Sequence, residues 1–310
     1  MRTWITALKT KRSMRAESAR PFAAPRKNRI KQNGRFVLRI FFVVFAIYAV
    51  TLVFPFVWLV YNSLKSKQEF QFDNPMGLPQ NWLFSNYISI FTDPSLNFNL
   101  PLMFFNSITL AVGMVIAGLF VCACTAYIVS KYKFRGRNLI YFIAIIIMFL
   151  PTTGSLAVYY GFLNDTGLYD NYLGMLITSA GGFGFNFLLL YGFFKNISWN
   201  YAEAAFIDGA GNFRVFFSIM LPQAKAALVA LGVIGAIGVW NDYTSQYLFY
   251  PSHITVAVGI KRLSDDIVNY GTDYPRFFAA TVVSTLPVIV VYALFQKTII
   301  ENTMAGGLKG

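Results

Sequence analysis

Six long apolar segments constrain this chain more than any other feature of its sequence. A helix crosses a bilayer core of about 30 Å with about 20 mostly apolar residues, because each residue advances it by about 1.5 Å. Only 13% of the residues are charged, whereas about 25% is typical of soluble domains. We therefore predict an all-α membrane protein with six transmembrane helices, at 36–61, 103–130, 139–163, 172–194, 226–249 and 277–295.

Positive charge is concentrated at the predicted membrane boundaries. The formal net charge is +13, and twelve of the 26 Lys and Arg residues lie in the first 39 positions. The loop KYKFRGR at 131–137 adds four bases, whereas the next loop, 164–171, has two aspartates and no base. By the positive-inside rule, this alternation and an even number of spans place both termini in the cytoplasm. The charge is thus a topology signal, with anionic lipid as a secondary contact, and does not indicate nucleic acid.

The same patterns divide the chain into three parts. Residues 1–35 are basic and contain two prolines, and we expect a flexible cytoplasmic arm. Residues 36–300 make up the six-span domain, with a cytoplasmic connector at about 200–222 between the fourth and fifth spans. Residues 301–310 form a short Gly-rich cytoplasmic tail.

Catalytic motifs are absent from the sequence. It has no Gly-rich phosphate loop that ends in GKS or GKT and no HExxH, and its single histidine, His253, has no metal-ligand partner at a useful spacing. We expect no catalytic residue, no metal and no cofactor on this chain. If ATP drives the protein, another chain must bind it.

The stretch EAAFIDGAGNFRVFFSIMLP, in the cytoplasmic connector, differs from its apolar surroundings. Asn200 is a candidate helix cap, with Glu203 at the third helical position as in a capping box. The alanines that follow favour helix and keep its surface thin. Gly209 and Gly211 permit a left-handed stop and a sharp turn.

A second short helix is predicted after this turn. We expect Asn212 to cap it, Pro222 to end or bend it, and its apolar face to consist of Phe213, Phe216, Phe217 and Met220. The connector is then an elbow of two short helices. An interfacial hairpin on the membrane surface and a docking element for a cytoplasmic partner both fit this pattern.

The spacing in the elbow resembles a known signature. ATP-binding-cassette (ABC) importer permeases typically have the pattern Glu-Ala-Ala, three residues, Gly, nine residues and Ile-x-Leu-Pro. Its defining positions here are Glu203, Ala204, Ala205, Gly209, Ile219, Leu221 and Pro222. The departures are Phe206, where the family has a basic residue, and Asn302, where the tail usually has Gly.

Other segments resemble the sugar-importer branch, and in particular the second permease subunit of maltose-type systems. The matches are PFVWLVYNSLKS, FNSI at 105–108, FLPTTG at 149–154, TGLYDNYLGMLI at 166–177, IDGAGNFRVF at 207–216, WNDY at 240–243 and the tail AGGLKG. The resemblance extends from about residue 50 to residue 310.

This resemblance implies a type I importer permease-like fold within a larger assembly in a bacterial inner or plasma membrane. Two homologous permease subunits form the pore, two ATPase subunits hold ATP and Mg²⁺ below it, and an extracytoplasmic binding protein delivers the sugar. ATP-driven closure of the ATPases moves the spans through the elbow. The implied ATPase contacts are Glu203, Ala204, Ala205, Asp208, Gly209, Ile219, Leu221 and Pro222, with the tail residues Ala305, Gly306, Gly307 and Lys309.

Polar and aromatic residues inside the spans are candidates for the substrate pathway, because polar groups are costly in lipid and tend to face a cavity or another helix. For the aromatic residues the alternative is helix packing or lipid contact, and for the asparagines it is a hydrogen bond between helices. The last two candidates also fit a gate or a contact with the binding protein. The candidates are Asn106, Asn186, Tyr191, Trp240, Asn241 and Asp242.

Half of a pore for an oligosaccharide or a related carbohydrate is therefore the expected function. A permease for a polyamine, an amino acid or an inorganic anion has the same signature at Glu203. An ATPase-independent carrier or a membrane scaffold is a further alternative, although a carrier with inverted repeats holds both halves in one chain and no such repeat is present here.

Overall fold

The computed structural model of the protein describes residues 32–92, 99–150, 155–271 and 273–305. All regular structure in these residues is helical, as the sequence predicts. The predicted arm lies outside them up to residue 31, and the predicted tail from residue 306. The helices are α1 (Gln32–Asn62), α2 (Ser85–Thr92), α3 (Leu100–Lys131), α4 (Arg137–Phe149), α5 (Ser155–Asp165), α6 (Tyr172–Ser179), α7 (Phe185–Asn196), α8 (Asn200–Ile207), α9 (Asn212–Gln223), α10 (Lys225–Asn241), α11 (Tyr243–Phe249), α12 (Val256–Tyr270) and α13 (Tyr274–Ala305).

Three of these helices, α1, α3 and α13, are long and apolar enough to cross a membrane. Helices α9 and α10 together are also long and apolar enough, and they make a fourth span if the bent pair is counted as one. The axes of the two helices meet at 73°. The bend follows Pro222, where the sequence predicts it. The count of six spans and the cytoplasmic position of both termini stay predictions.

Three predicted spans are not single helices. The segment 139–163 is divided between α4 and α5, the segment 172–194 between α6 and α7, and the segment 226–249 between α10 and α11. The second interruption, AGGFG at 180–184, includes Gly182 with φ of +68° and Gly184 with φ of +110°. Residues other than glycine rarely adopt such φ values, and positive φ values are incompatible with a right-handed helix. The prediction of an uninterrupted helix is wrong here, because apolar character does not guarantee helical backbone.

Helix α3 is the centre of the part of the chain that begins at Trp58, to which all contacts described below belong. It packs against α6, α7 and α10. Small residues permit this: Ala123 and Ala126 are fully buried, and a Cβ at Gly118 would lie only 3.0 Å from the carbonyl oxygen of Ser179. The end of α6 is therefore in close contact with the backbone of α3.

One apolar cluster connects the spans to the elbow. It contains residues of α3 and α7 together with residues of the two connector helices α8 and α9. From α8 it buries Ala202, and from α9 it buries Val215, Phe216 and Met220. Because close-packed side chains transmit displacement, the elbow and the ends of α3 and α7 form one mechanical unit.

Candidate functional site

The turn of the elbow is a Schellman motif. Gly209 adopts φ of +82°, in the left-handed region that the sequence predicts. The N–H of Ala210 donates to the carbonyl of Ala205 at 2.9 Å, and the N–H of Gly209 donates to the carbonyl of Phe206 at 3.0 Å. These bonds satisfy the last carbonyls of α8 and turn the chain sharply towards α9.

Neither predicted side-chain cap is present. The cap position of α8 is Trp199, whose carbonyl accepts from the N–H groups of Ala202 and Glu203 at 2.8 Å and 3.1 Å. Asn200 is therefore already helical, and its own N–H donates to Ser198 Oγ at 3.3 Å. At α9 the cap is Gly211, also without a side-chain cap bond. Asn200 fails as a cap because the helix begins one residue earlier than predicted.

The predicted aromatic face of α9 is divided. Phe216 and Met220 are buried, whereas Phe213 is exposed and Phe217 is half exposed against Phe120, with ring centroids 6.2 Å apart. A π-helical turn at Phe216–Met220 places more residues in each turn than an α-helix does. Val215 takes a buried position in this register, and Phe213 is left outside the core.

Unsupported apolar side chains mark the outer side of the elbow. Ile207 is 87% exposed and Phe213 is 83% exposed, which are the highest values for any large apolar side chain in the described ranges. Phe213 borders an apolar groove of about 520 Å³ beside the end of α3. Glu203 and Asp208 are exposed on the same two-helix unit. Exposed apolar groups with polar neighbours are typical of a surface that binds another protein.

The signature residues divide between the outside and the core of the elbow. Glu203, Ala204, Asp208, Gly209 and Pro222 are exposed, whereas Ala205, Ile219 and Leu221 are half buried. Of the four tail candidates, Ala305 ends α13. Gly306, Gly307 and Lys309 lie outside the described residues.

Two residues where α3 ends, Lys131 and Tyr132, fasten the elbow; of these, the sequence pattern indicated only Lys131, as a topology signal. Lys131 Nζ donates to the carbonyl of Ile197, at the C-terminal end of α7. Tyr132 donates its hydroxyl hydrogen to Asn212 Oδ1 at 3.0 Å, and its ring meets Trp199 edge-on at 5.8 Å. The sequence signal for this role was a lysine and a tyrosine, Lys131 and Tyr132, directly after an apolar span.

Three of the six substrate-pathway candidates contact distant parts of the chain. Asn106 Nδ2 donates to the carbonyl of Ile254 at 3.0 Å. Trp240 is buried, and its indole N–H donates to the carbonyl of Ser284 at 3.2 Å. Tyr191 lies in the core, with its ring centroid 4.5 Å from that of Tyr141.

The other three candidates lie at helix ends. Asp242 Oδ1 accepts from the N–H of Ser245 at 3.0 Å and caps α11. Asn241 is exposed and bonds back to the carbonyl of Ile237 in its own helix. Asn186 is exposed in the first turn of α7. The candidates do not form one cluster, since Tyr191 and Trp240 belong to different parts of the core.

Long apolar helices define this chain as a helical membrane protein, and its elbow has the character of a surface that binds another protein. The family model described as binding-protein-dependent transport system inner membrane component matches residues 115–302. The chain belongs to this family, which confirms the resemblance to ABC importer permeases.

Curated relatives align with nearly all of the chain. The diacetylchitobiose uptake system permease protein NgcG of Streptomyces coelicolor is 30% identical over 84% of this chain and 85% of its own length. The trehalose/maltose transport system permease protein MalG of Thermococcus litoralis is 29% identical over 84% of this chain and 93% of its own.

Solved structures support the fold. A chain of a bacterial ABC transporter involved in the import of the acidic polysaccharide alginate superposes with a TM-score of 0.71 at 25% identity, over 89% of this chain and 99% of that one. A chain of an alginate transporter in complex with a periplasmic protein that holds an alginate pentasaccharide superposes with a TM-score of 0.56 at 16% identity, over 87% of this chain and 96% of that one. The second match bears on the fold alone.

Proposed function

We propose that this chain forms half of the pore of an ATP-driven importer that moves an oligosaccharide into a bacterial cell by alternating access. The family supports the transport role. The relatives named for diacetylchitobiose, trehalose or maltose, and alginate support a carbohydrate as the solute. In this proposal the chain is a multi-pass protein of the inner or plasma membrane with both termini in the cytoplasm.

The exposed side of the elbow docks on a partner ATPase, which binds the ATP and Mg²⁺. The observation that carries this step is the exposure of Ile207 and Phe213 on a rigid turn that also presents Glu203 and Asp208. Burial of two such apolar side chains in a cleft contributes about 1.5–3 kcal/mol each. The tail residues 305–309 are a second proposed contact with the same partner.

The buried side of the elbow carries the motion of the ATPase to the membrane helices. Phe216 packs on Tyr127 of α3, with ring centroids 4.9 Å apart, and Met220 is fully buried in the same cluster. Displacement of α8 and α9 therefore moves the ends of α3 and α7 as well, since a close-packed core does not deform continuously.

A second, homologous permease subunit completes the pore, and an extracytoplasmic binding protein delivers the sugar. The description of the family as a binding-protein-dependent transport system supports the latter partner. No residue in the most apolar window of α1 is buried. Lipid and the second subunit are the surroundings that we propose for this helix.

Single charges on the elbow test the docking step. We expect Ile207→Asp and Phe213→Asp to abolish co-purification of the ATPase with the permease, because each places a carboxylate in an apolar contact. Phe72→Asp is the matched control, since Phe72 is 79% exposed and lies on the predicted external side. Unchanged co-purification with both elbow variants would contradict the docking step.

Uptake by reconstituted vesicles tests the solute. Vesicles that hold the two permeases and the ATPases, with the binding protein outside, are offered labelled diacetylchitobiose, maltose, trehalose and, for contrast, a polyamine and an amino acid. We expect ATP-dependent uptake of a sugar. Uptake of the polyamine or the amino acid alone would overturn the carbohydrate assignment and leave the importer assignment intact.

A further inference from the structure

The interruption between α6 and α7, AGGFG at 180–184, is fastened on one side to α3. Thr125 Oγ1 donates to the carbonyl of Gly182 at 3.0 Å. Ser179 Oγ, one residue before the interruption, donates to the carbonyl of Met114 at 3.2 Å. A Cβ at Gly182 would contact Val121 at 3.2 Å, so this side has no spare room. The interruption is thus a fixed element of the fold.

Its other side presents backbone polar groups without partners. Among the described residues, no acceptor pairs with any backbone N–H from Gly181 to Phe187. The carbonyls of Ala180, Gly181 and Phe183 have no donor in the same described ranges. The space beside Gly181 and Gly184 is open, because a Cβ at either position would meet no atom within 4 Å.

The position of these groups along the chain makes them informative. The interruption lies at the middle of the predicted span 172–194, far from either predicted membrane surface. Unpaired amides and carbonyls are costly in hydrocarbon, and non-helical backbone at membrane depth is tolerated only in protein or beside a water-filled cavity. The start of α7 accounts for the unpaired N–H groups of 184–187, whereas those of 181–183 belong to the interruption itself.

We infer that the interruption 180–184 lines the aqueous path through the permease and that its N–H groups bind oxygen atoms of the passing solute. This inference rests on the proposed function, and it names the solute chemistry: hydroxyl, ring or carboxylate oxygens, which accept hydrogen bonds from backbone N–H groups. Asn186 adds an exposed side-chain amide next to the same groups. Its side chain has no hydrogen-bond partner among the described residues, unlike that of Asn106.

Cysteine labelling in the assembled importer tests the inference. Cys122→Ala and Cys124→Ala remove the native thiols, and Gly181→Cys or Phe183→Cys places one thiol at the interruption. Gly181 tolerates a side chain, because its Cβ would be free of contacts and its φ is not in the left-handed region. The reagent is a charged methanethiosulfonate, which reacts with the thiolate and therefore needs water at the site.

Ile177→Cys is the matched control, because Ile177 is 60% exposed on the regular helix α6 of the same span. We expect labelling at positions 181 and 183 to be at least tenfold faster than at 177. We also expect the sugar that the same vesicles transport to slow it several-fold, with diacetylchitobiose, maltose and trehalose as the probes.

The labelling rates test the aqueous path and the contact with solute separately. Labelling at 181 and 183 no faster than at 177 would overturn the aqueous path at the interruption. Fast labelling that a transported sugar does not slow would overturn the contact with solute. Failure of all three sugars to be transported would count against the carbohydrate assignment, and the labelling rates would still test the path.

Discussion

Replacement of Gly209 by alanine isolates the contribution of the elbow turn to coupling. Gly209 holds φ of +82° at the end of α8. A Cβ at this position would meet no heavy atom within 4 Å, so the substitution introduces no clash. Its whole cost is therefore the strain of an L-residue in the left-handed region.

That strain is about 1–2 kcal/mol, because Cβ approaches the following carbonyl oxygen in this conformation. If the turn relaxes to avoid it, the equilibrium constant between the docking-competent elbow and its relaxed form shifts by a factor of about 5 to 30, since about 1.4 kcal/mol corresponds to tenfold. We expect the apparent Kd of the ATPase for the permease to rise by up to that factor, because only the docking-competent fraction binds. Membrane insertion and the amount of purified permease should not change.

Gly211→Ala is the matched control within the same turn. Gly211 has φ of −78° and ψ of 166°, which any residue adopts, and its Cβ would also be free of contacts. Both substitutions reduce the freedom of the unfolded chain by a similar amount, so the difference between them reports the strain alone.

Binding of the detergent-solubilised permease variants to immobilised ATPase, followed by ATP-dependent uptake in vesicles, gives the two readouts. We expect Gly209→Ala to weaken binding and uptake together and Gly211→Ala to leave both near the wild-type values. Binding by both variants at the wild-type level would refute the requirement for the left-handed turn. An equal loss of binding with both variants would mean that bulk at the interface, and not backbone conformation, limits docking.

Two lysines give further predictions. Lys131→Met removes an ammonium that bonds to the carbonyl of Ile197. A charge at a helix C-terminus contributes about 0.3–2 kcal/mol, so we expect this variant to have a lower Tm and less uptake per ATP hydrolysed. The control Lys133→Met, at an exposed lysine, should match the wild type. Lys65, in the predicted external segment, is buried and donates to the carbonyls of Asn74 and Gly77, and burial lowers its pKa from 10.5 although Glu69 opposes the shift. Between the lowered pKa and 10.5, Lys65 therefore binds more protons in the unfolded chain than in the folded protein. The stability of the wild type should rise with pH within this window and fall as the pH drops towards the lowered pKa. A Lys65→Met protein with the same pH dependence of Tm would contradict this assignment.

The elbow turn could be predicted from sequence because a Schellman motif depends on local chemistry. A glycine after a run of helix-forming residues is sufficient, and Gly209 adopts the expected conformation. The caps failed for an equally local reason. The carbonyl of Trp199 accepts the first helical bonds, so Asn200 falls inside α8. Trp199 also packs on Tyr132, a contact between residues far apart in the chain that sequence spacing does not report.

The substrate candidates show a different limit. Asn106 was chosen as a polar residue in an apolar helix, and Trp240 as an aromatic residue that could stack on a sugar ring. Their partners, the carbonyls of Ile254 and Ser284, lie far away in the chain. No periodicity within one helix predicts such a bond. The interruption at 180–184 was overlooked for the opposite reason, since its glycines and phenylalanine have no polar side chains.

Helix α3 connects the two functional regions. Thr125 holds the carbonyl of Gly182 in the interruption, and Lys131 and Tyr132 hold the base of the elbow. Thr125 and Lys131 are separated by about 9 Å along the helix axis, at about 1.5 Å per residue. Every residue between them is helical, and Ala126, Tyr127 and Val129 are buried in the close-packed core, so this part of α3 can transmit a displacement. In the proposed mechanism, an ATPase that moves the elbow also moves the polar backbone of the interruption, and this is the coupling that alternating access requires.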